Sequence, residues 1–233
     1  MALLTDGEIK EAIEKGELEI DPFDEEHGLQ PASYDMRLGK KALITKSVSL
    51  EELKGKVQKE EVKEINIEKE ESVTIPGGAF ALVSTLERIR LGGNYTSHIG
   101  MRTYYTRKGL VILSGLQIDP RWDGCLVLGL ANLSPRSLTL DYGDHLCTIE
   151  IHRLNRAADK DYSGLYMAEQ REGRIPSADK DYLRTIETMS VSDLTNALID
   201  LSRNVGDLGK WVRGFWIVIV LALLSIVLSL VLR

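Results

Sequence analysis

The chain has 233 residues, with 29 Lys and Arg against 35 Asp and Glu, for a net charge of −6. That balance, with no basic patch along the chain, excludes the electrostatic footprint of non-specific nucleic-acid binding. Two cysteines, Cys125 and Cys147, exclude both a disulfide framework and a cysteine zinc site, and they fit a reducing compartment.

The first residues, MALLTDGEIKEAIEKG, are charged and amphipathic and lack the apolar region of a secretory signal. Thr5 and Glu8 have capping-box spacing, Ile9, Ala12 and Ile13 form an apolar stripe, and Gly16 closes it, which predicts a short helix. From there the signals are β. Apolar or alternating runs recur at Val73–Ile75, Phe80–Ser84, Leu110–Leu113, Leu126–Ala131, Ser137–Leu140 and Leu146–Ile151. Turn clusters separate them at Pro76-Gly77-Gly78, Gly92-Gly93-Asn94, Ser134-Pro135 and Tyr142-Gly143-Asp144. Many short strands at even spacing predict a barrel or sandwich. The Lys/Glu-dense stretch from Glu51 to Glu71 reads as a solvated excursion.

After Ile151 the pattern changes. Asn155 to Asp181 is polar, holds Gly164, Gly173 and Pro176, and reads as an extended arm. Val191, Leu194, Leu198, Leu201, Val205, Leu208, Val212, Phe215 and Ile219 then alternate spacings of three and four, the seam of a coiled coil. This stalk runs into Phe215–Leu232, eighteen uncharged and mostly aliphatic residues. In a helix that run covers about 27 Å, close to the thickness of a bilayer's hydrocarbon core. Trp211 and Trp216 stand where interfacial aromatics sit, with Lys210 and Arg213 at the inner end. The expected organisation is therefore a β domain over 1–154, an arm and linker over 155–189, a stalk over 190–213 and a transmembrane helix over 214–233. The flanking positive charges predict a single-pass C-terminal anchor with the bulk of the chain in the cytoplasm.

Three separated segments carry a family pattern: QPASYDMRLG at 30–39, MRTYYTRKGLVILSGLQIDPRWDG at 101–124 followed by LVLGLAN, and YSGLYMAEQREGRIPS at 162–177. In order, spacing and turn residues they resemble the dCTP deaminase branch of the trimeric dUTPase superfamily, over about Leu4 to Ser177. The resemblance implies a homotrimer of distorted jelly-roll subunits, mainly β, with nucleotide sites between subunits. It implies phosphate donors around Arg102, Thr103 and Arg107. It places Asp119 near the sugar's 3′ hydroxyl and, in pyrophosphate-cleaving members, near the attacking water. Trp122 matches the aromatic that stacks on deoxyribose, and Tyr162, Tyr166 and Gln170 belong to the segment that closes over the nucleotide. No tightly bound cofactor and no metal ligand are implied, Mg²⁺ arriving only with nucleotide phosphates.

Four positions depart from that pattern. Gly129 stands where the deaminases carry a catalytic glutamate in a pattern like LEL-x-N, and glycine has no group to transfer a proton. General acid–base help of that kind is worth roughly 10²- to 10⁴-fold. Met101 and Tyr104 replace small residues in the phosphate loop, and Leu165 stands where a lysine meets the phosphates. The expectation is a trimeric, membrane-anchored nucleotide-binding protein without deaminase activity, acting as a sensor or scaffold. The alternative is an active nucleotide hydrolase, a dCTP deaminase or a dUTP diphosphatase relying on Asp119 and producing dUTP or dUMP.

Overall fold

The computed structural model describes residues 1–47, 64–164, 167–185, 187–188 and 191–231. It divides into two units, Met1–Val191 and Ser192–Arg233.

The first unit opens as its sequence dictates. Helix α1 (Asp6–Glu14) is closed at its N-terminus by a reciprocal cap. The Thr5 N–H donates to Glu8 Oε2 at 3.0 Å, and the Glu8 N–H donates to Thr5 Oγ1 at 3.4 Å. Ile9 and Ala12 face the core, and Gly16 leaves the helix with φ +69°, a conformation that costs glycine nothing.

A curled antiparallel sheet of eleven strands follows, a half-barrel. Its main path runs β10 (Leu110–Ile112), β12 (Asp123–Asn132), β8 (Phe80–Leu91), β4 (Ser33–Ile44), β14 (His145–Arg153), β9 (Tyr95–Met101) and β11 (Gln117–Ile118). Alternation decides the faces. On β12, Leu126, Leu128 and Leu130 point into the core, leaving Val127, Gly129 and Ala131 on the outer face. On β14, Cys147, Ile149 and Ile151 are fully buried, and Glu150 and His152 point outward. Register shifts at Leu38/Ala42, Cys125/Val127 and His145/Cys147 add the twist that bends the sheet. At the first of these a Cβ on Gly39 would lie 2.3 Å from the Thr85 carbonyl oxygen, so only glycine fits. Both cysteines are free and buried, and burial pushes the Cys125 thiol up to about 11.

The QPASYDMRLG segment is mostly scaffold. The Tyr34 hydroxyl, fully buried, accepts the Asp24 N–H at 2.9 Å. Arg37 on β4 donates to the fully buried Glu87 on β8, its Nε at 2.6 Å and its backbone N–H at 2.8 Å. Burial pushes the Glu87 carboxyl up, and these donors only partly pull it back.

The segment read from composition as an extended arm holds two short helices instead, α2 (Met167–Arg171) and α3 (Ser177–Thr185). Gly173 takes φ +65° between them, and the Ser177 hydroxyl and N–H both donate to Glu169. Ile175 and Leu183, both buried, pack with Leu43 against Phe80, Leu82 and Val127 on the outer face of the sheet. Apolar burial outweighed the helix-breaking residues that made the stretch look extended. Of the Lys/Glu-dense stretch, residues 51–63 lie outside the described residues. Its end forms strand β6 (Glu64–Asn66), where Glu64 pairs with Lys41 at 3.0 Å and Lys180 at 2.6 Å.

The second unit is helical. Helix α4 (Val191–Val231) is continuous, and within its Thr195–Ser225 stretch, none of it buried, an 18-residue window of mean hydropathy 1.6 makes it long and apolar enough to cross a membrane. Leu198, Leu201, Val205, Leu208 and Phe215 of the heptad seam are all exposed on this single chain.

Removing Arg37 leaves a carboxylate buried without its cation, which costs about 3–5 kcal/mol. Arg37→Met is expected to lower unfolding stability by that amount in denaturant titrations, and Arg37→Met with Glu87→Gln to recover most of it.

Candidate functional site

The residues singled out in the sequence gather in two places. The first follows β9. Arg102 leaves that strand and caps a single helical turn, Thr103–Thr106, its guanidinium Nε 3.2 Å from Asp35 Oδ2. Asp35 is only 4% exposed and also accepts the Thr148 hydroxyl, so β4 and β14 together fix where Arg102 points. Thr103 and Arg107 are exposed, the Arg107 N–H donating to the Thr103 carbonyl at 3.1 Å. A cleft of about 470 Å³ opens here, lined by Arg102, Tyr104, Tyr105, Lys108, Asp144 and His145 among others.

Two side chains lining that cleft are already engaged by neighbours. The Tyr105 hydroxyl donates to Asp144 at 2.9 Å, and burial with that carboxylate pushes its pKa upward. Lys108 Nζ lies 3.7 Å from the centre of the Tyr104 ring, itself 61% exposed. Tyr104 therefore occupies one of the two lysine and arginine charges at the cleft through its π face. Sequence reasoning missed Asp35 because the partner it orients lies 67 positions away.

The second place is the turn between β11 and β12. Asp119 is exposed, and the Gln117 side-chain amide donates to its Oδ1 at 2.7 Å. Trp122 is buried, its Nε1–H donating to the Gly124 carbonyl at 3.1 Å, and its ring lies 5.1 Å from that of Tyr162. Burial and the Asp119 charge together raise the Tyr162 hydroxyl above its ordinary range. Between Asp119 and Trp122, Arg121 takes φ +66° and reaches the chain beyond β14, donating to the Ala158 carbonyl at 3.2 Å and pairing with Asp161 at 3.3 Å. The backbone of Gln170 on α2 crosses Gly124, where a Cβ would come within 3.2 Å of it. Asp119, Trp122, Tyr162 and Gln170 thus belong to one neighbourhood. Tyr166 and Leu165 lie outside the described residues.

The two places are far apart within one chain. Ile118 pairs with Ser97, so Asp119 falls beside Thr96 at one end of β9, and Arg102 leaves the other end six residues on. At about 3.3 Å per residue that is roughly 20 Å.

Gly129 lies on the outer face of β12. Its N–H donates to Ser114 Oγ at 2.6 Å, and the Leu113 N–H donates to its carbonyl at 2.8 Å. A Cβ here would meet the Phe80 ring at 3.0 and 3.1 Å, tighter than ordinary contact. Phe80 is held in turn by the cover of Ile175 and Leu183.

The model of the dCTP deaminase-like family matches residues 3–154. The chain belongs to the dCTP deaminase-like family. The dCTP deaminase of Pyrococcus furiosus is 39% identical over 155 residues, 66% of this chain and 88% of that protein. The dUMP-forming dCTP deaminase of Aquifex aeolicus is 34% identical over 177 residues, 75% of this chain and 93% of that protein. Among solved structures, the 2′-deoxycytidine 5′-triphosphate deaminase of Agrobacterium tumefaciens shares the fold at a TM-score of 0.50 and 18% identity. That match covers 65% of this chain and 47% of the other, so this chain spans about half of that solved chain. The family match stops at residue 154, before α2, α3 and α4.

Forcing a side chain in at 129 has a defined cost. Gly129→Glu is expected to lower stability by about 1–3 kcal/mol through overpacking against Phe80, with Phe80→Ala in the same chain recovering part of it, measured by thermal unfolding. The single substitution is expected not to produce dUTP from dCTP. Measurable dUTP would show that this acid alone restores the chemistry.

Proposed function

We propose that this chain is a membrane-anchored, homotrimeric member of the family that binds a pyrimidine deoxynucleotide between copies and does not deaminate it. One observation carries the reading: glycine stands at the position where the resemblance puts the proton-shuttling acid, and Phe80 presses against the space its side chain would enter. A proton must reach the leaving amine and leave the attacking water, and no side chain at 129 does either.

The trimer is supported by the division of the site. Phosphate donors at one end of β9 and the sugar-facing Asp119 and Trp122 at the other cannot meet on one nucleotide across roughly 20 Å of strand. A second copy bringing its Asp119 turn to the Arg102 cleft completes both halves. Tyr162, Tyr166 and Gln170 then close the nucleotide from the arm, and Mg²⁺ enters only with the phosphates. The expected boundaries stand within this proposal, with 190–213 as a stalk of three helices and 214–233 as the anchor, leaving the β domain in the cytoplasm. Exposure of the α4 heptad residues on a single chain supports that stalk, because an apolar seam of this length needs partners. Three helices enclose too little space for a wide channel, so signalling or scaffolding fits better than transport.

A hydrolase is the second reading. Asp119 remains solvent-facing with its carboxylate oriented by Gln117, the arrangement a water-activating acid needs.

Purified protein incubated with dCTP and with dUTP, with and without Mg²⁺, separates these. The proposal expects a nucleotide-dependent rise in melting temperature with no dUTP, ammonia or pyrophosphate released. Pyrophosphate release abolished by Asp119→Asn establishes the hydrolase, and ammonia from dCTP at enzymatic rates contradicts the proposal.

Two structural variants add to this. Asp35→Asn frees Arg102 from its carboxylate and is expected to weaken nucleotide binding about tenfold, the worth of one charge-assisted contact, read by titration calorimetry. Truncation after Arg184 is expected to leave a soluble trimer in light scattering, because the barrel contributes the larger interfaces. A monomer contradicts the trimer.

A further inference from the structure

Strand pairing creates a ligand set that the sequence keeps apart. β14 and β9 run antiparallel with Glu150 opposite His98 and His152 opposite Thr96. Residues facing each other across a sheet share a face, and so do neighbours two apart along a strand. His98, Glu150 and His152 therefore project together from the outer face, away from the core-facing Ile149 and Ile151. Their ligand atoms all lie within 4.8 Å of one another. The two imidazole rings stand 4.9 Å apart, tilted by 55°, and His152 Nε2 is 3.6 Å from Glu150 Oε2. Among the described residues this is the one group of three or more His, Cys, Asp or Glu side chains that converges in this way.

We propose that His98, Glu150 and His152 form a binding site for a divalent transition-metal ion, of which Zn²⁺ is the probe of choice. His152 supplies the strongest argument. Its Nε2 is shielded from solvent and has no hydrogen-bond partner, a cost that a metal bond removes. Two imidazole nitrogens and one carboxylate oxygen make a donor set suited to Zn²⁺, whereas Mg²⁺ and Ca²⁺ prefer oxygen alone. A tetrahedral Zn²⁺ with bonds near 2.0–2.1 Å needs ligand atoms about 3.4 Å apart, so small side-chain rotations close the set. Room for them exists. Glu150 is half exposed, and a Cβ on Gly100, two residues along β9 from His98, would meet nothing within 4 Å.

Three protein donors leave a fourth position open, for water or for a group from outside the chain. The site's neighbour gives that position interest. Gln117 lies opposite His98 on β11 and holds Asp119 through its amide, so the ion sits one strand from the Asp119 turn. The assignment is independent of the nucleotide reading, since none of the three side chains belongs to the proposed nucleotide contacts.

The competing account is a direct contact between His152 and Glu150, which needs neither His98 nor a metal. The full chain in detergent micelles, stripped with a chelator, is titrated with Zn²⁺ against a chromophoric competitor. The site predicts saturation at one Zn²⁺ per chain, undisturbed by excess Mg²⁺, and a rise in melting temperature reversed by chelator. His98→Ala and His152→Ala are each expected to weaken binding by at least about tenfold, on the scale that perturbing metal sites produces. Glu150→Gln, a change at an exposed position that preserves shape, does the same without threatening the fold. His27→Gln, at an exposed histidine elsewhere, leaves binding unchanged. Co²⁺ in place of Zn²⁺ gives visible absorption that disappears in His98→Ala. Absence of saturable Zn²⁺ binding to the wild-type chain overturns the proposal, as does binding that His98→Ala and Glu150→Gln leave intact.

Discussion

The phenyl ring of Phe80 rests against the backbone of Gly129, and the surrounding structure is arranged to keep it there. The ring sits on the outer face of β8, where neighbouring Leu82 and Val127 extend the apolar surface. Ile175 and Leu183 cover that surface from beyond the family's matched segment. The Gly129 backbone is tied to Leu113 and Ser114 by two hydrogen bonds, so β12 cannot easily withdraw from the ring. An ionisable side chain introduced here would meet a packed aromatic and a low-dielectric cover, surroundings that disfavour its charged form. Gly129 thus belongs to an outer surface shared by the barrel and the helices that follow it.

Arg37 and Glu87 lock β4 to β8, Gly39 allows the close approach at Thr85, and Asp35 still aims Arg102 into its cleft. The same motif that signals the family is spent largely on holding the half-barrel in shape. In the cleft it frames, Tyr104 lies under Lys108 and the Tyr105 hydroxyl is bound to Asp144. Such a cleft fits a ligand held by stacking and a few cationic contacts.

Much of this is legible in the amino-acid sequence. The capping box at Thr5 and Glu8 and the turn glycines Gly16, Gly78 and Gly143 behave as their spacing requires, each glycine at positive φ. β4 and β9 were harder to see. SYDMRLGKKALI carries charges whose partners lie dozens of residues away, and YTSHIGM has no clean alternation to mark it as a strand. α2 and α3 hid behind Gly173 and Pro176, since what stabilises them is contact with the sheet. Of the candidate site, the residue types were readable but not their separation along β9, which depends on the pairing of Ile118 with Ser97. His98 and His152, fifty-four positions apart, share a face only through strand register. Phe80 carries no motif, and its effect on Gly129 appears only in three dimensions.

The central claim is that the nucleotide pocket survives between copies while the step that removes the cytosine amine does not. A crystal structure of the full chain grown after prolonged incubation with dCTP addresses both parts at once. The account predicts intact dCTP lying across two copies, phosphates at Arg102 of one and deoxyribose at Trp122 of the other. Uracil nucleotide in that cleft, or a cleft closed by protein with the nucleotide elsewhere, would contradict it.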